Sequence, residues 1–280
     1  MSLLNTITQS SAQTPNGLRL VLAGVEKIGK TTLACGAPNT LLIPLEDGYG
    51  GISVAKTDIP TSYEQVLQML DEIVKYAQAG TFPYKTLVFD SATALERLLH
   101  DYVLRCDPAY VTGNRKALTM EAALGGYGKA YTFANDEFAK FLAKCDMLSH
   151  YGKINIVFTC HVFADKVVDP VNGEYDSWDL LLHSPKNQKT YGKREMITQW
   201  ADVVGFLHEP MFIIEGDTVN RGMTSNKGRV MGLSRVPSYV AGNRYGVTGE
   251  IPIPKDKGWN YLAKAIYDSC KVDFYNRETP

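Results

Sequence analysis

Short apolar runs bounded by glycine or proline alternate along this chain with longer segments in which apolar residues recur every three or four positions. The short runs predict strands and the longer segments predict helices. The predicted strands are residues 18–23, 40–45, 86–90, 154–160, 203–207 and 211–215, and the predicted helices are residues 30–35, 63–79, 92–105, 131–150 and 259–271. This alternation predicts an α/β fold with a mainly parallel, twisted sheet flanked by helices.

Two long stretches, 107–129 and 162–199, interrupt the alternation and are rich in glycine, asparagine, tyrosine and charge. Loops of this length within a compact domain are usually functional. The sequence therefore divides into a tail over 1–17, a core over 18–258 that contains both loops, and a C-terminal helix and tail over 259–280.

The composition excludes several classes of protein. Of 280 residues, 45% are hydrophobic, and 29 basic residues face 30 acidic ones for a net charge of −1. This balance gives no overall attraction to nucleic acid or anionic membranes, so any nucleic-acid site must be a local patch. No apolar run approaches the roughly 20 residues that span a bilayer, and we expect a cytoplasmic protein without membrane contact. Five widely spaced cysteines without a C-x-x-C pair predict reduced structural thiols.

The segment from Gly24 to Thr31 matches the pattern G-x-x-x-x-G-K-[ST] between a predicted strand and a predicted helix. In this context the pattern forms a loop whose glycines let the backbone wrap phosphate groups. Lys30 adds a positive charge at the β- and γ-phosphates, and the hydroxyl of Thr31 reaches Mg²⁺. The residues predicted to contact the nucleotide are Gly24, Val25, Glu26, Lys27, Ile28, Gly29, Lys30, Thr31 and Thr32.

Acidic residues accompany two further predicted strands. Asp90 ends the strand 86–90, where it can hold the metal beside Thr31 or cap the next helix, and the two roles are compatible. Glu46 follows the strand 40–45, at a position from which a neighbouring parallel strand delivers a carboxylate to the γ-phosphate. We predict that Glu46 orients or deprotonates the attacking water, with Asp47 as its competitor and a plain turn residue as the structural alternative.

Two more polar residues complete the predicted catalytic set of Lys30, Glu46, His161 and Arg244. His161 follows the strand 154–160 and faces the same crevice, where it can sense the γ-phosphate or serve as a structural hydrogen-bonding group. Arg244 lies in the glycine-flanked segment 241–246. It is either an arginine finger that acts on a neighbour's ATP or a solvated surface residue.

Together these motifs resemble the ATPase core of the RecA/RadA superfamily of P-loop proteins, over about residues 18–254. The chain is similar in particular to short phage nucleotide-binding proteins of this superfamily, including phage single-strand annealing proteins built from a truncated RadA-like core. The most specific matching segments are 24–32, 87–91, 127–129, 157–161, 200–202 and 243–246. The resemblance implies a RecA-like fold that binds ATP and Mg²⁺ at interfaces between subunits of a filament or ring. Because self-association in that superfamily often uses a short segment ahead of the core, the resemblance also implies that the tail over 1–17 serves oligomerisation, with a disordered tail as the alternative.

The resemblance also implies roles for individual residues. Glu46 falls on the catalytic glutamate of the RecA family, and His161 falls on the polar residue that couples the γ-phosphate to DNA binding. RadA proteins carry a Lys-Asn-Arg-Phe-Gly motif whose basic residues act on ATP, and this chain matches it over 242–246 with Gly242 in place of the lysine. We therefore expect Arg244 to act on a neighbouring subunit and the ATPase activity to be weak.

Relatives of this type bind single-stranded DNA through loops at the positions of 107–129 and 162–199. In the second loop, 165–179 carries five acids and one lysine, whereas 183–194 carries four basic residues, one tyrosine and no acid. Basic groups interleaved with an aromatic ring suit non-specific single-strand binding, although charge alone is more typical of a solvated loop. The predicted DNA-binding residues are Arg115, Lys116, Tyr127, Lys129, Lys186, Lys189, Tyr191, Lys193 and Arg194.

The function predicted from these features is that of an ATP-binding phage recombination protein that assembles on single-stranded DNA and promotes annealing or strand pairing. Its expected partners are single-stranded DNA, further copies of the chain and a single-strand-binding protein. Two alternatives keep the nucleotide site: an accessory or motor ATPase of DNA replication, of the helicase or loader type, and a P-loop kinase of small molecules. Salt-dependent binding to single strands would argue against the kinase.

Overall fold

The computed structural model describes residues 16–113, 118–171, 173–185, 191–214, 221–224 and 228–274. Its strands are β1 (Arg19–Ala23), β2 (Thr40–Pro44), β3 (Ala55–Lys56), β4 (Thr86–Asp90), β5 (Asn155–Cys160), β6 (Val162–Asp169), β7 (Gly173–Leu180), β8 (Val203–His208), β9 (Met211–Ile214), β10 (Arg221–Thr224), β11 (Val230–Gly232), β12 (Gly242–Asn243) and β13 (Glu250–Pro252). Its α-helices are α1 (Lys30–Cys35), α2 (Tyr63–Gln78), α3 (Ala92–Arg105), α4 (Pro108–Val111), α5 (Lys129–Tyr151), α6 (Lys193–Trp200) and α7 (Gly258–Cys270). Each helix and strand predicted above is present, and its ends lie within two residues of the prediction.

A central sheet has the strand order β13-β11-β8-β1-β5-β4-β2-β3. The strands from β8 to β3 are mutually parallel. Beside them, β11 and β12 pair antiparallel with β8, and β13 pairs antiparallel with β11. The predicted α/β class with a mainly parallel sheet is therefore confirmed. All six residues of β5 are buried, as expected for a parallel strand that is covered on both faces.

Helices cover both faces of this sheet. Side chains of a strand alternate between its two faces, so an entirely apolar strand presents apolar side chains on both faces. In β1, Val21 and Ala23 belong to a hydrophobic cluster with residues of α2, α3 and α5. Leu20 and Leu22 belong to a second cluster with residues of α1 and α7. None of the helices in the ranges that the structure describes is long and apolar enough to cross a bilayer.

The carboxyl ends of four parallel strands meet at one edge of the sheet. Ala23 at the end of β1 pairs with Cys160 at the end of β5, and Asp90 at the end of β4 pairs with Thr159. Pro44 at the end of β2 pairs in turn with Asp90. The segments that follow these strands therefore emerge side by side, and we call this side of the sheet the carboxyl edge.

The two stretches that we predicted to be loops contain regular structure. Residues 162–199 hold the antiparallel hairpin of β6 and β7 and the helix α6, and residues 107–129 hold α4 and a short 3-10 turn over Ala123–Gly125. The hairpin escaped prediction because most of its residues are exposed or half-buried, so that little alternation between apolar and polar residues marks its strands. Among the residues of its two strands, only Val162 and Leu180 are buried, and these two residues pair at the base of the hairpin.

Candidate nucleotide-binding site

The P-loop lies between β1 and α1 at the carboxyl edge. Gly29 has a φ of 93°, a left-handed conformation that favours glycine, and it directly precedes the first residue of α1. The ammonium group of Lys30 donates hydrogen bonds to the carbonyl oxygens of Gly24 and Val25, both at 2.8 Å. Burial lowers the pKa of Lys30 from its ordinary value. The lysine is thus folded against its own loop, next to the space that the loop encloses.

Two oxygen donors for a metal ion lie together beside the P-loop. The hydroxyl of Thr31 donates to Asp90 Oδ2 at 2.8 Å, and the hydroxyl of Thr159 donates to the other carboxylate oxygen of Asp90. Hydroxyl and carboxylate oxygens are ligands that Mg²⁺ prefers, and it usually takes only one or two protein ligands beside the phosphates of a nucleotide. This donor set therefore fits Mg²⁺, and Thr31 and Asp90 are the residues that would hold it. The side chain of Ser91, rather than Asp90, caps the following helix.

Glu46 and His161 meet across the same edge, with Glu46 Oε1 3.1 Å from His161 Nε2. The other ring nitrogen of His161 lies 3.7 Å from a carboxylate oxygen of Glu26 in the P-loop. The hydrogen bond from His161 lowers the pKa of Glu46 to about 2, against the opposing effect of burial. Glu46 therefore carries its negative charge throughout the physiological pH range.

These residues line one cleft of about 500 Å³. Its walls consist of Glu26, Lys27, Gly29, Lys30, Thr31, Thr32, Glu46, Asp47, Gly48, Gly51, Ile52, Asp90 and His161. The structure thus brings together most of the P-loop, both metal-binding candidates, Glu46, its competitor Asp47, and His161. We call this space the phosphate cleft.

A second cleft, of about 570 Å³, adjoins the phosphate cleft on the far side of the P-loop. Glu26 and Lys27 line both clefts, and the remaining walls include Ile28, Arg229, the segment 252–255 and Glu209. Our sequence analysis named none of the residues beyond the P-loop, since no motif surrounds them.

Arg244 lies at the opposite edge of the sheet. Its neighbour Asn243 pairs with Val203, the first residue of β8, whereas the P-loop follows the last residue of β1. The guanidinium of Arg244 donates to Asp202 Oδ1 at 2.8 Å and to the carbonyl of Gln199, and its side chain is 52% exposed. A five-residue strand separates the two edges by roughly 13 Å, so Arg244 cannot reach the phosphate cleft of its own chain.

The predicted DNA-binding residues fall into three groups. Arg115, Lys116, Lys186 and Lys189 lie outside the described residues. Tyr127 is 97% exposed, Tyr191 is 62% exposed, and Lys129 is exposed at the first position of α5. The same helix binds the second loop, because Tyr131 stacks on His183 at 3.8 Å and Asn135 donates to the carbonyl of Tyr191 at 2.9 Å. Exposed residues from both loops therefore flank the start of α5.

Lys193 and Arg194 differ from our expectation of free basic side chains. Lys193 is completely buried and its ammonium lies 3.3 Å from Glu96, so that no charge reaches the surface. Arg194 is mostly buried and pairs with Asp179 at 3.0 Å and with Glu195 at 3.1 Å. The correction has a physical reason: both residues open the helix α6, where they face acids of α3, β7 and α6 itself, and counting charge along the sequence cannot reveal such partners.

Comparison with known proteins places this site in a family. Residues 16–245 match the model of an AAA domain, and the chain belongs to that family. The chain therefore contains a P-loop ATPase domain, and domains of this type generally bind nucleotide together with Mg²⁺. A comparison with curated proteins found none with significant similarity to the chain.

Proposed function

We propose that this chain is an ATP-binding recombination protein that binds single-stranded DNA through the surface around α5 and promotes strand annealing or pairing. In this proposal ATP lies at the interface between successive subunits and is hydrolysed slowly. The observation that carries the proposal is a short hydrogen-bonded path from the phosphate cleft to the second loop, described below. A nucleotide-dependent change in the cleft has a direct route to that loop.

The phosphate cleft supplies the groups that a nucleoside triphosphate requires. The helix α1 directs its amino end at the cleft, and Lys30 adds a formal positive charge there. Thr31 and Asp90 would hold Mg²⁺, which neutralises charge on the phosphates when it is bound. The second cleft has a size suited to the base and ribose, and its position beyond Lys27 and Ile28 extends the site past the phosphates.

Glu46 is the group that we assign to the attacking water. With a pKa near 2 it is a weak proton acceptor, and its fixed negative charge suits it better to orient a water molecule than to remove its proton fully. His161 supports this role because it holds the Glu46 carboxylate in place at 3.1 Å. A base of this strength is consistent with the weak hydrolysis expected from the sequence.

The path from the cleft to the second loop begins at the backbone of His161. The amide of His161 donates to the hydroxyl of Thr93 at 3.3 Å, and that hydroxyl donates to the carbonyl of Leu181 at 3.2 Å. The amide of Leu181 donates back to the carbonyl of His161 at 2.8 Å. His183, two residues further on, donates its amide to Glu96 on α3 at 2.8 Å. Movement of His161 on nucleotide binding would therefore shift Leu181 and His183 in the second loop.

Arg244 supports assembly in a head-to-tail manner. Because it lies at the edge opposite the phosphate cleft, it can serve an ATPase site only if that site belongs to a neighbouring subunit. A head-to-tail interface generates rings or open filaments, depending on the rotation between subunits. Its half-exposed guanidinium is available to such a neighbour.

Binding to a fluorescent oligo-dT tests this proposal, measured at several salt concentrations with ATP, with ADP and without nucleotide. We expect binding that weakens steeply with salt and changes with the nucleotide, because phosphate contacts release counterions. Lys30→Ala should lose ATP binding by at least about tenfold and should lose the ATP-dependent part of DNA binding. Lys75→Ala, which removes an exposed lysine of α2, is the matched control.

Two results would count against the proposal. Unchanged ATP-dependent DNA binding by Lys30→Ala would separate the two sites. No DNA binding under any condition, with ATP binding intact, would favour an accessory ATPase or a small-molecule kinase.

A further inference from the structure

Arg229 connects the P-loop with the segment that follows β13. It stands just before β11, and its Nη1 donates to the carbonyl oxygens of Ile28 at 2.9 Å and Gly29 at 3.3 Å. Its Nε donates to the carbonyl of Ile253 at 3.1 Å, and its Nη2 donates to the carbonyl of Pro254 at 3.1 Å. One side chain thus joins two peptide groups of the P-loop to two that follow from β13.

All four of these acceptors are main-chain carbonyls. Arginine suits this task because its planar guanidinium presents donors in a fixed fork, whereas a lysine ammonium is a single point charge. Burial lowers the pKa of Arg229, but a guanidinium remains charged at any pH at which the protein is folded. The hydrogen bonds of Arg229 to these carbonyls therefore persist at every pH at which the protein is folded.

The orientation of these carbonyls determines the orientation of the P-loop amides. A trans peptide group is planar, and its N–H points away from its C=O. The peptides that join Ile28 to Gly29 and Gly29 to Lys30 are trans. Arg229 holds the carbonyl of Ile28, and it shares the carbonyl of Gly29 with the amide of Leu33 in α1, which donates to it at 3.0 Å. The amides of Gly29 and Lys30 therefore point away from these donors. Gly29 and Lys30 line the phosphate cleft, where their amide hydrogens would bind the phosphate oxygens of a nucleotide.

The absence of a side chain at Gly29 is what allows this approach. A Cβ atom built on Gly29 would lie 2.1 Å from Nη1 of Arg229, far closer than any carbon and nitrogen can pack. The glycine is therefore needed twice, for its left-handed φ of 93° and for the space that the guanidinium occupies. The P-loop and Arg229 fit each other as a pair.

We propose that Arg229 is a positioning residue that holds the P-loop in its phosphate-binding conformation before nucleotide arrives. It acts through the carbonyls of Ile28 and Gly29 and does not itself touch the phosphates. This inference rests on the proposed nucleotide function of the phosphate cleft. It predicts that the P-loop is preorganised in the free protein, so that little ordering cost is left for binding.

The test compares Arg229→Ala, Arg229→Lys and the control Arg235→Ala, which removes an exposed arginine that follows β11. Two quantities are measured on the full chain: the affinity for fluorescent ATP and ADP, with fluorescent GTP and ITP included to vary the base, and hydrogen exchange of the peptide 24–32 without nucleotide. We expect Arg229→Ala to weaken both nucleotides by about tenfold or more, because charged hydrogen bonds to the loop are lost. Exchange of the P-loop amides should rise by a similar factor, while that of α2 stays unchanged.

The remaining arms separate positioning from a purely structural role. Guanidinium ion, added far below denaturing concentrations, should restore ATP affinity to Arg229→Ala and leave Arg235→Ala unaffected. If Arg229→Ala fails to fold, Arg229→Lys carries the test, since it keeps the charge and most of the packing but cannot serve both pairs of carbonyls. We expect it to fold and to bind ATP several-fold more weakly.

Three outcomes would overturn the inference. The first is an ATP affinity of Arg229→Ala within twofold of wild type, and the second is unchanged hydrogen exchange of its P-loop amides. The third is a loss of affinity for ATP without a loss of affinity for GTP and ITP, which would show that Arg229 contacts the base instead. Failure of the wild-type protein to bind any nucleotide would instead reject the proposed function. The two failures are therefore distinguishable.

Discussion

The two edges of the central sheet both carry charged side chains, but they differ in how those charges are neutralised. At the carboxyl edge, Lys30 bonds only to carbonyls of its own loop, and an open cleft of about 500 Å³ lies beside it. At the amino edge, where β1 and β8 begin, Arg19 and Arg244 share the carboxylate of Asp202 at 2.7 and 2.8 Å. Arg19 pairs with Asp146 as well, at 3.1 Å.

This difference separates a site that is ready for a charged ligand from a network that is satisfied within the chain. The anionic phosphates of a nucleotide would neutralise Lys30, whereas Asp202 and Asp146 already neutralise the two arginines at the amino edge. Arg244 combines both properties, because it is paired with Asp202 within the chain and its half-exposed side chain is still accessible to a ligand or a neighbouring molecule. The comparison can be sharpened by substitutions at both edges.

The largest effect that we expect comes from Arg244→Ala. If Arg244 completes the ATPase site of a neighbouring subunit, its loss should lower hydrolysis by about 1000-fold, the usual contribution of an arginine finger. ATP affinity should change little. Mixing this variant with Lys30→Ala should restore hydrolysis, since one subunit supplies the nucleotide and the other supplies the arginine. Wild-type hydrolysis by Arg244→Ala alone would make the amino edge purely structural.

A smaller effect is expected from Glu46→Gln at the carboxyl edge. The amide keeps the size of the side chain but cannot carry negative charge, and hydrolysis measured in single turnovers should fall by about 100-fold. ATP binding should stay within about twofold of wild type. Asp47→Asn is the control, and a larger loss of hydrolysis in that variant would transfer the role of Glu46 to Asp47.

The smallest effect is expected from Asp202→Asn. The neutral amide of asparagine cannot replace the carboxylate that accepts hydrogen bonds from the guanidinium groups of Arg19 and Arg244. We therefore expect the free energy of unfolding in urea to fall by about 1.5–3 kcal/mol. Nucleotide affinity should remain that of wild type, since the phosphate cleft lies at the other edge. A loss of ATP affinity without a loss of stability would show that the two edges are coupled.

The sequence predicts the carboxyl edge well because motif spacing determines position there. Glycines and Lys30 at fixed offsets after a strand specify the P-loop, and acids at the ends of parallel strands necessarily arrive beside it. The hydrogen bond between Thr31 and Asp90 joins two residues 59 positions apart, and both follow from local patterns. Strand ends in a parallel sheet thus convert one-dimensional spacing into three-dimensional proximity.

Other features depend on contacts that no local pattern encodes. Lys193 looks like part of a basic DNA-binding segment, but it is buried against Glu96, which lies almost a hundred residues earlier. Arg229 has no motif around it. The role that we propose for it depends on hydrogen bonds to main-chain carbonyls, which a residue of any type could provide. The exposed hairpin of β6 and β7 lacks the apolar alternation that would have marked it.

The hydrogen bond between Arg229 and Ile28 spans 201 positions of sequence. The central strand β1 likewise pairs with β5 and β8, two strands that lie more than 130 positions further along the chain. During synthesis the P-loop leaves the ribosome 201 positions before the side chain that contacts it. A chain that has not yet reached Arg229 lacks this contact, so we expect nucleotide to bind tightly only after the segment that carries Arg229 has been made and has folded onto the P-loop.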